Sequence, residues 1–339
     1  MVGNMYFTLL DLLRFFSSLA VATHHTFLFH YGKLGVYLFF MISGFVIYFS
    51  LGRGIKDYII SRFLRLYPIF WICAAITFIV TLIYQDNIIS IKNFLIGLFM
   101  FNDGHMEKMI DGSYWTLTFE LLFYFYIGIF VWLFGTKRIE WFFILWLAIS
   151  FFSFFFGVDQ FILFKLLCVR FAPYFVFGGM FALLIDRFNF LNLKQKILYV
   201  STIIISAIMP IYVSDRLRVQ LEAGTITNFT GSFNLDELMI VESFFIVFPI
   251  FVLLSYATFA KGKTFSKICF ILGGITYPLY LLHWKIGDTI ISKHTGEYGS
   301  VTIFSILFLV ILIIVSFLLS LFDLKMRKFL KAKILSLIN

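Results

Sequence analysis

Charged side chains are scarce in this sequence: they make up 13% of the 339 residues, against roughly a quarter in soluble domains. Hydrophobic residues reach 61%, with 49 phenylalanines, and the mean hydropathy is +0.98. A soluble globule of this composition would lack the polar surface needed to cover itself, whereas lipid accepts apolar side chains all round a helix. The composition excludes soluble enzymes, disordered regulators and fibrous proteins, and it indicates a polytopic membrane protein.

Cysteine is also scarce. The three cysteines, Cys73, Cys168 and Cys269, lie far apart, with no CxxC spacing and no Cys/His cluster. The sequence therefore predicts neither a disulfide framework nor a metal site. A long basic tract is missing too, because the lysines and arginines behind the net charge of +9 are dispersed between apolar runs. Nucleic acid is therefore not expected as a partner, and membrane orientation explains the positive charge better.

Ten apolar segments approach the length of about 20 residues that crosses a hydrocarbon layer of roughly 30 Å. Because lipid leaves exposed backbone groups unsatisfied, all of them are expected to be helical. The predicted fold class is all-α, a polytopic transmembrane helix bundle of about ten spans. A shorter run, from Phe94 to Phe101, is expected to be interfacial or re-entrant. The spans are placed near residues 6–30, 34–51, 68–84, 114–134, 141–157, 170–185, 197–213, 239–259, 268–284 and 300–322.

Lysine and arginine are unevenly distributed between the loops that join these segments. With alternating sides, one set of loops and the end of the chain hold 17 of the 27 cationic residues, the other set holds nine, and Arg14 lies inside a span. Cationic loops face the cytoplasm, so both termini are predicted to be cytoplasmic. The sequence shows no internal repeat and no low-complexity linker. Residues 1–322 are predicted to form one integral membrane domain, followed by a short basic cytoplasmic tail over residues 323–339.

The first predicted span carries several ionisable side chains, which are costly at membrane depth and are therefore candidates for function. Intervals of three, four and seven residues place four polar side chains on one helical face: Asp11, Arg14, Ser18 and His25. Arg14 and His25 are separated along the helix axis by roughly 16 Å. The pattern predicts a polar stripe through the bilayer. The alternative is a structural ion pair between Asp11 and Arg14, with His25 bonded to a neighbouring helix.

Two further ionisable residues are predicted to reach a depth similar to that of His25. Glu120 lies in the fourth span, roughly 9 Å from its outer end, and His25 is about 7 to 8 Å deep. A carboxylate beside a histidine makes it a better base, because the carboxylate stabilises the imidazolium. His283 is expected near the outer end of the ninth span. The alternatives are a Glu120 carboxylate bonded to backbone or to an unrelated helix, and an interfacial His283.

On the predicted cytoplasmic side, the loop that ends at Pro68 interleaves arginines with apolar residues. This pattern predicts an amphipathic helix lying on the membrane. Arg62 and Arg65 are one helical turn apart, so they can bind one phosphate group together. The alternative is a positive-inside anchor in contact with anionic lipid.

Five segments, in this order along nearly the whole chain, resemble the acyltransferase 3 family of integral membrane acyltransferases. Arg14 and His25 are similar to the family's pattern of Arg, ten residues and His, and Arg62 to Pro68 is similar to its RxxR loop ending in proline. The other three are Phe39–Phe45 (FFMISGF), which resembles FFxxSGF, Trp115–Glu120 (WTLTFE), which resembles WSLxxE, and Tyr277–Trp284 (YPLYLLHW), which resembles YxxYLLHxP.

Two positions depart from the family pattern. Lys285 stands where the family has a proline just after the His-Trp pair. The last span ends at Asp323, Leu324 and Lys325, where many relatives have a glutamate and then a proline. A role that depends on that terminal Glu-Pro element is therefore not carried over to this chain.

The resemblance implies transfer of an acyl group, most often acetyl, from cytoplasmic acyl-CoA to a hydroxyl of an extracytoplasmic glycan, such as a surface polysaccharide or a lipid-linked saccharide. It implies an O-acetyltransferase of the bacterial cytoplasmic (inner) membrane, with acetyl-CoA or another acyl-CoA as donor substrate, contact with membrane lipid, and no metal. The implied residues are His25, Glu120, Arg14 and Asp11 for catalysis, Arg62, Arg65 and Arg14 for the donor, and His283 and Tyr280 for the acceptor.

Two other functions fit a polar stripe across a helix bundle. A proton-coupled transporter is built in this way, but it is typically marked by repeats or by broken helices in matching halves, and the sequence shows neither. A structural subunit of a glycan-assembly complex leaves the shared depth of His25, Glu120 and His283 unexplained. The sequence therefore favours an acyltransferase, with the transporter as the alternative.

Overall fold

The computed structural model describes residues 7–26, 28–84, 89–100, 109–222, 234–258, 263–295 and 303–338. Within these ranges the chain forms twelve α-helices, joined by short 3-10 turns and loops, and no strand. The helices are α1 (Thr8–His25), α2 (Gly35–Ser50), α3 (Ile55–Tyr84), α4 (Ile91–Gly97), α5 (Trp115–Phe134), α6 (Ile139–Phe155), α7 (Ile162–Leu166), α8 (Ala172–Arg187), α9 (Leu193–Glu222), α10 (Leu235–Thr258), α11 (Lys263–Thr295) and α12 (Ile303–Ile338).

The predicted fold class, an all-α polytopic transmembrane bundle, is confirmed. In the described part of the chain, eight helical stretches are long and apolar enough to cross a membrane, and they contain α2, α3, α5, α6, α9, α10, α11 and α12. The other two predicted spans are helices as well. Charged residues interrupt the apolar surface of α1, and α8 has only 16 residues. The cytoplasmic position of both termini stays a prediction.

The described helices α3 and α12 are longer than the spans predicted from hydropathy. The loop before Pro68 was expected to be a separate surface helix, but α3 runs without a break from Ile55 to Tyr84 with Pro68 inside it. A helix of 30 residues is about 45 Å long, which exceeds the hydrocarbon layer by roughly 15 Å. The arginine-bearing turn therefore continues the span. In the same way, α12 continues through the predicted tail to Ile338.

The start of the short run from Phe94 to Phe101 lies in α4, a helix of seven residues. Phe101 lies outside the described residues, and the interfacial or re-entrant position of the run stays a prediction. The five-residue helix α7 was not predicted. The five prolines all lie within helices: Pro173 lies in the first turn of α8, and the remaining four are inside α3, α9, α10 and α11, which continue through them. The first turn has no intrahelical use for the missing N–H, so Pro173 fits its position without loss.

The described residues divide into two compact units. One, called here the aromatic unit, contains residues 37–55 and the described part of 122–254. The other, called here the site unit, contains the described parts of 7–36, 56–121 and 255–339. The single domain predicted over residues 1–322 stays a prediction.

Stacked rings form the core of the aromatic unit. Phe123 lies 5.5 Å from Trp146 with nearly parallel ring planes, and 4.3 Å from Phe175. The indole N–H of Trp146 donates to the carbonyl oxygen of Leu167 at 2.7 Å, so the polar atom of this large side chain is satisfied. Phe123 and Phe175 are fully buried. Aromatic packing therefore accounts for part of the high phenylalanine content.

Close helix packing forms the core of the site unit, where α11 packs against both α1 and α12. A Cβ atom at Gly273 of α11 would lie 2.6 Å from the Cβ atom of Asp11 on α1, which is closer than real Cβ contacts allow. The absence of a side chain at Gly273 therefore permits the two helices to meet at Asp11. This packing places the last turn of α1 beside the middle of α11, where the candidate site lies.

Candidate active site

The end of α1 and the middle of α11 bring two histidines together. The ring centroids of His25 and His283 are 5.1 Å apart. The ring of His25 also stacks on Trp284, with 4.1 Å between centroids and 20° between planes. Tyr280, one turn before His283, lies 5.3 Å from the His283 ring. These four residues are called the histidine cluster below.

One nitrogen of His283 is held by the backbone of its own helix. Nδ1 lies 2.7 Å from the carbonyl oxygen of Tyr280. A carbonyl oxygen can only accept, so this geometry assigns the proton to Nδ1 and leaves Nε2 of the neutral ring as an acceptor. Nε2 is buried and has no hydrogen-bond partner. The structure therefore contains a buried basic nitrogen beside His25.

The two histidines differ in exposure. His283 is 0% exposed, whereas His25 and Trp284 are half-buried. Part of His25 is therefore accessible, whereas His283 is enclosed. The arrangement suits a proton acceptor, His25, supported by a second imidazole whose tautomer is fixed.

A buried aspartate anchors the histidine cluster. Asp111, in the loop before α5, is 0% exposed. Its Oδ1 accepts hydrogen bonds from the backbone amide of Ser113 at 2.8 Å and from the Ser113 hydroxyl at 2.6 Å. Its Oδ2 accepts from the backbone amide of Lys285 at 2.8 Å. Asp111 thus joins the loop before α5 to α11, two residues after His283.

The departure of Lys285 from the family pattern has a direct structural consequence. Proline has no backbone N–H, so it cannot make the hydrogen bond that Lys285 donates to Asp111. The lysine therefore permits an anchor that the family's usual residue would exclude.

Burial raises the pKa of Asp111 to about 6, because removal from water disfavours the carboxylate more than the hydrogen bonds from Ser113 and Lys285 favour it. The anchor therefore changes its protonation state close to neutral pH. Below that value the carboxyl carries a proton and offers one fewer acceptor to the surrounding amides.

Two other contacts join the start of α5 to the same part of α11. The hydroxyl of Tyr114 donates to the carbonyl oxygen of Leu281 at 3.0 Å. The hydroxyl of Tyr280 lies 2.7 Å from Thr116 Oγ1 and donates to the carbonyl oxygen of Ser113 at 3.0 Å. Tyr280 is 5% exposed. Its role on the acceptor stays a prediction, and in the structure its hydroxyl fastens α5 to α11.

Gly112 completes this support. A Cβ atom at Gly112 would lie 2.8 Å from the Trp284 ring, so any other residue would displace the indole. Because His25 stacks on that indole, a residue in the loop before α5 determines the position of a ring on α1.

Glu120 lies on α5 one turn after Thr116, partly buried. Its charge acts on Tyr280. The contacts described for the His25 ring are with His24, His283 and Trp284. The direct pairing of Glu120 with His25 therefore stays a prediction, and the structure brings His283 to His25 instead.

Asp11 and Arg14 form the ion pair that the sequence suggested as the alternative. Arg14 donates to Asp11 at 3.1 Å, and each side chain is 14% exposed. Both residues also interact with other groups, so the pair does not exhaust their contacts. Their proposed catalytic and donor roles stay predictions.

Arg62 and Arg65 lie one turn apart on α3 and are partly buried. Arg65 interacts electrostatically with Asp323 and Arg327 of α12. Asp323 is 2% exposed and forms an ion pair with Arg327. Arg65, one of the residues predicted to bind the donor, therefore has charged neighbours on α12 that hydropathy and spacing did not reveal.

The chain matches a known protein family. A family model described as an acyltransferase domain, that of acyltransferase 3, matches residues 7–322, nearly the whole chain. The chain belongs to the acyltransferase 3 family. The resemblance carried by the five segments is thereby confirmed, and the protein is a membrane acyltransferase. No curated protein and no solved structure gives a significant match to the chain.

The structure of this acyltransferase 3 family member reveals candidate functional residues that were not predicted from the sequence. Asp111 and Ser113 form the anchor before α5. The sequence contains a signal for it, the Asp-Gly-Ser triplet just before Trp115, because polar residues at such a position cap a helix. Arg327 follows Asp323 by four residues, the spacing of an ion pair on one helix face. Trp284 ends the segment Tyr277–Trp284, and its ring stacks on His25.

Proposed function

We propose that this membrane acyltransferase transfers an acyl group, acetyl in the first instance, from cytoplasmic acyl-CoA to a hydroxyl of an extracytoplasmic glycan, in the bacterial cytoplasmic membrane. The observation that carries the proposal is the contact of the partly exposed His25 with the buried His283, whose Nε2 has no hydrogen-bond partner. Family membership supplies the reaction class. The donor, the acceptor and the acyl group are inferred from the resemblance and from the chemistry of acyl transfer and phosphate binding.

A sugar hydroxyl is a weak nucleophile at neutral pH, and a neutral imidazole is the side chain best suited to take its proton. In the proposed step, His25 removes the hydroxyl proton while the oxygen attacks the thioester carbonyl carbon. The tetrahedral intermediate then expels the CoA thiolate. The proton on His25 passes to that thiolate, so the imidazole returns to its neutral form and the products are the ester and CoA-SH.

The neighbouring His283 restricts the pair of imidazoles to a single positive charge. Two imidazolium rings with centroids 5.1 Å apart would repel each other in a buried site, so protonation of one ring keeps the other neutral. A neutral His283 presents the Nε2 lone pair, which can accept a hydrogen bond from a protonated His25 after a small ring rotation. The transferred proton can thereby be shared between the two imidazoles.

Donor binding is assigned to the arginines of α3. Guanidinium groups bind phosphate oxygens in a fork, and Arg62 and Arg65 are positioned one turn apart on one helix. CoA carries its phosphates at the end opposite to the thioester, so binding at α3 leaves the pantetheine arm free to extend along α1. Arg14, ion-paired with Asp11 on that helix, would then lie beside the arm.

Reconstitution tests the proposal. Purified protein in liposomes is supplied with radiolabelled acetyl-CoA on one side and a glycan acceptor on the other, with His25→Ala protein as the control. We expect label on the glycan with wild-type protein and background label with the variant. Accumulation of a solute without CoA consumption would instead indicate a transporter and would overturn the proposal.

A further inference from the structure

A group of three charged residues joins α3 to α12. Asp323 of α12 is 2% exposed and is ion-paired with Arg327, one turn later on the same helix. Arg65 of α3 acts electrostatically on both of them. Arg65, Asp323 and Arg327 are called the arginine cluster below.

The hydroxyl of Tyr277 links a third helix, α11, to the arginine cluster. It donates to the carbonyl oxygen of Leu66, the residue after Arg65, at 3.2 Å. Tyr277 also acts electrostatically on Arg327. Three helices, α3, α11 and α12, therefore meet at the arginine cluster, which belongs to the same unit as the histidine cluster.

The ion pair of the cluster is open to solution on one side only. Asp323 is enclosed, with 3% of its side chain exposed. The side chain of Arg327 is 33% exposed, so an anion can reach it from solution.

Two polar atoms of the cluster have no partner. Oδ1 of Asp323 and Nε of Arg327 are buried and make no hydrogen bond. The first needs a donor and the second an acceptor, so a ligand that satisfies both must offer an anionic oxygen together with an N–H or O–H group. Chloride and sulfate lack the second group.

We propose that the arginine cluster is a built part of the donor site, in which Arg327 and Arg65 bind a phosphate group and Asp323 accepts a hydrogen bond from an N–H or O–H of the same ligand. The inference rests on the proposed function and extends it by a residue pair outside the predicted donor set. Acyl-CoA has this chemistry, since its phosphates are neighboured by hydroxyl, amide and amino donors. The phosphodiester of an anionic lipid offers the same phosphate chemistry, and the test separates the two sources.

The role of Asp323 in the free protein follows from the same charges. Its carboxylate attracts both Arg65 and Arg327, which would otherwise repel each other, so it holds the two side chains ready for a phosphate. Asp323 is thus expected to position the arginines as well as to contact the ligand.

Equilibrium binding of labelled CoA to purified protein in nanodiscs tests the inference without requiring turnover. Arg327→Ala should weaken CoA binding about tenfold, the loss expected for one charge-assisted contact. Arg327→Lys should recover part of it. Lys328→Ala removes the neighbouring exposed cation and should leave the Kd unchanged. Pantetheine, which has no phosphate, should compete equally weakly with wild type and Arg327→Ala.

Two further arms complete the test. Because Arg327→Ala leaves a buried carboxylate unpaired, the double variant Asp323→Asn/Arg327→Gln removes both charges, and it should lose CoA affinity as well. The binding measurements are repeated in phosphatidylcholine with and without phosphatidylglycerol, and the same loss should appear in both. An unchanged Kd for CoA in both variants, or a loss confined to discs with phosphatidylglycerol, would overturn the inference. CoA binding that depends on Arg327 without any acyl transfer would overturn the proposed function and leave the site standing.

Discussion

Two groups of polar residues in the site unit are held in place by different means. The histidine cluster is held by neutral hydrogen bonds and ring stacking, with the buried Asp111 behind it. The arginine cluster is held by opposite charges, with Asp323 ion-paired to Arg327 and attracted by Arg65. Hydrogen bonds of fixed geometry suit a site that moves a proton, whereas charges suit a site that captures an anion. The two clusters should therefore respond to substitution in different kinetic parameters.

The largest effect is expected at His25. His25→Ala should lower kcat by about 10²- to 10⁴-fold, the range for loss of a general base, while the protein stays inserted because an apolar residue lowers the insertion cost. Acyl transfer by purified, quantified protein measures it. His24→Ala is the matched control, one residue earlier, and should stay close to wild type. Equal turnover of His25→Ala and wild type would remove the base from this account.

A pair of substitutions at His283 separates its two nitrogens. Asparagine can still donate to the Tyr280 carbonyl but has no atom at the Nε2 position, so His283→Asn should lower kcat by about 10²-fold. His283→Gln places its carboxamide closer to that position and should retain more activity. Steady-state kinetics with both variants decide the matter, and wild-type turnover in His283→Asn would contradict a role for Nε2.

The Asp111 anchor should give a pH-dependent stability. Its raised pKa means that its contribution is fully present below the ordinary value of 3.8 and is lost as the pH rises through about 6. Relative to Asp111→Asn, which mimics the neutral acid, wild type should therefore lose up to about 3 kcal/mol of unfolding free energy between pH 4 and pH 7. Thermal unfolding of both proteins across this range provides the measurement.

Lys285→Ala is the control for the anchor, since it removes the side chain and keeps the amide that donates to Asp111. It should retain most of the pH dependence of wild type. Parallel stability curves for wild type and Asp111→Asn would show that Asp111 does not titrate in this range.

The arginines of α3 should act on donor binding. Arg62→Ala and Arg65→Ala should each raise the KM for acyl-CoA about tenfold with a smaller change in kcat, because contacts to a distant phosphate form equally in the ground and transition states. Lys56→Ala, an exposed cation on the same helix, is the control and should leave KM unchanged. Unchanged donor affinity with less protein in the membrane would identify the arginines as a lipid anchor.

The smallest effect is expected at Glu120. Glu120→Gln keeps the shape and removes the charge, and it should lower kcat by less than about tenfold and move the pH optimum, in line with a shift of one pKa unit or less in the base. A pH–rate profile identical to that of wild type would show that Glu120 has only a packing role.

The helical fold was predictable because its signal is strong: long apolar segments in a chain with little charge have few alternatives in lipid. Every predicted span coincides with a helix. Helix ends were less predictable. Hydropathy falls at Arg62 and Pro68, yet α3 continues through both, since helical hydrogen bonding does not end where the apolar surface does.

The site was predictable only in part. Helical spacing identified the Asp11 and Arg14 pair, which the structure contains. Spacing and depth predicted that His25, Glu120 and His283 lie at a similar level, and the structure brings His283 to His25, while the pairing of Glu120 with His25 stays a prediction. Such pairings depend on the azimuth of one helix relative to another, which spacing within each helix does not reveal. Asp111 was missed because its hydrogen bond from the Lys285 amide joins residues that are 174 positions apart.

A double-mutant cycle on the two histidines tests the central claim, that His25 and His283 act as one unit in proton transfer. The kcat of acyl transfer is measured for wild type, His25→Ala, His283→Asn and the double variant at one pH with saturating donor. Residues that act as a unit are strongly non-additive, so the double variant should be no slower than the slower single variant. If instead the two losses in kcat multiply, the histidines act independently, and this would contradict their action as one unit in proton transfer.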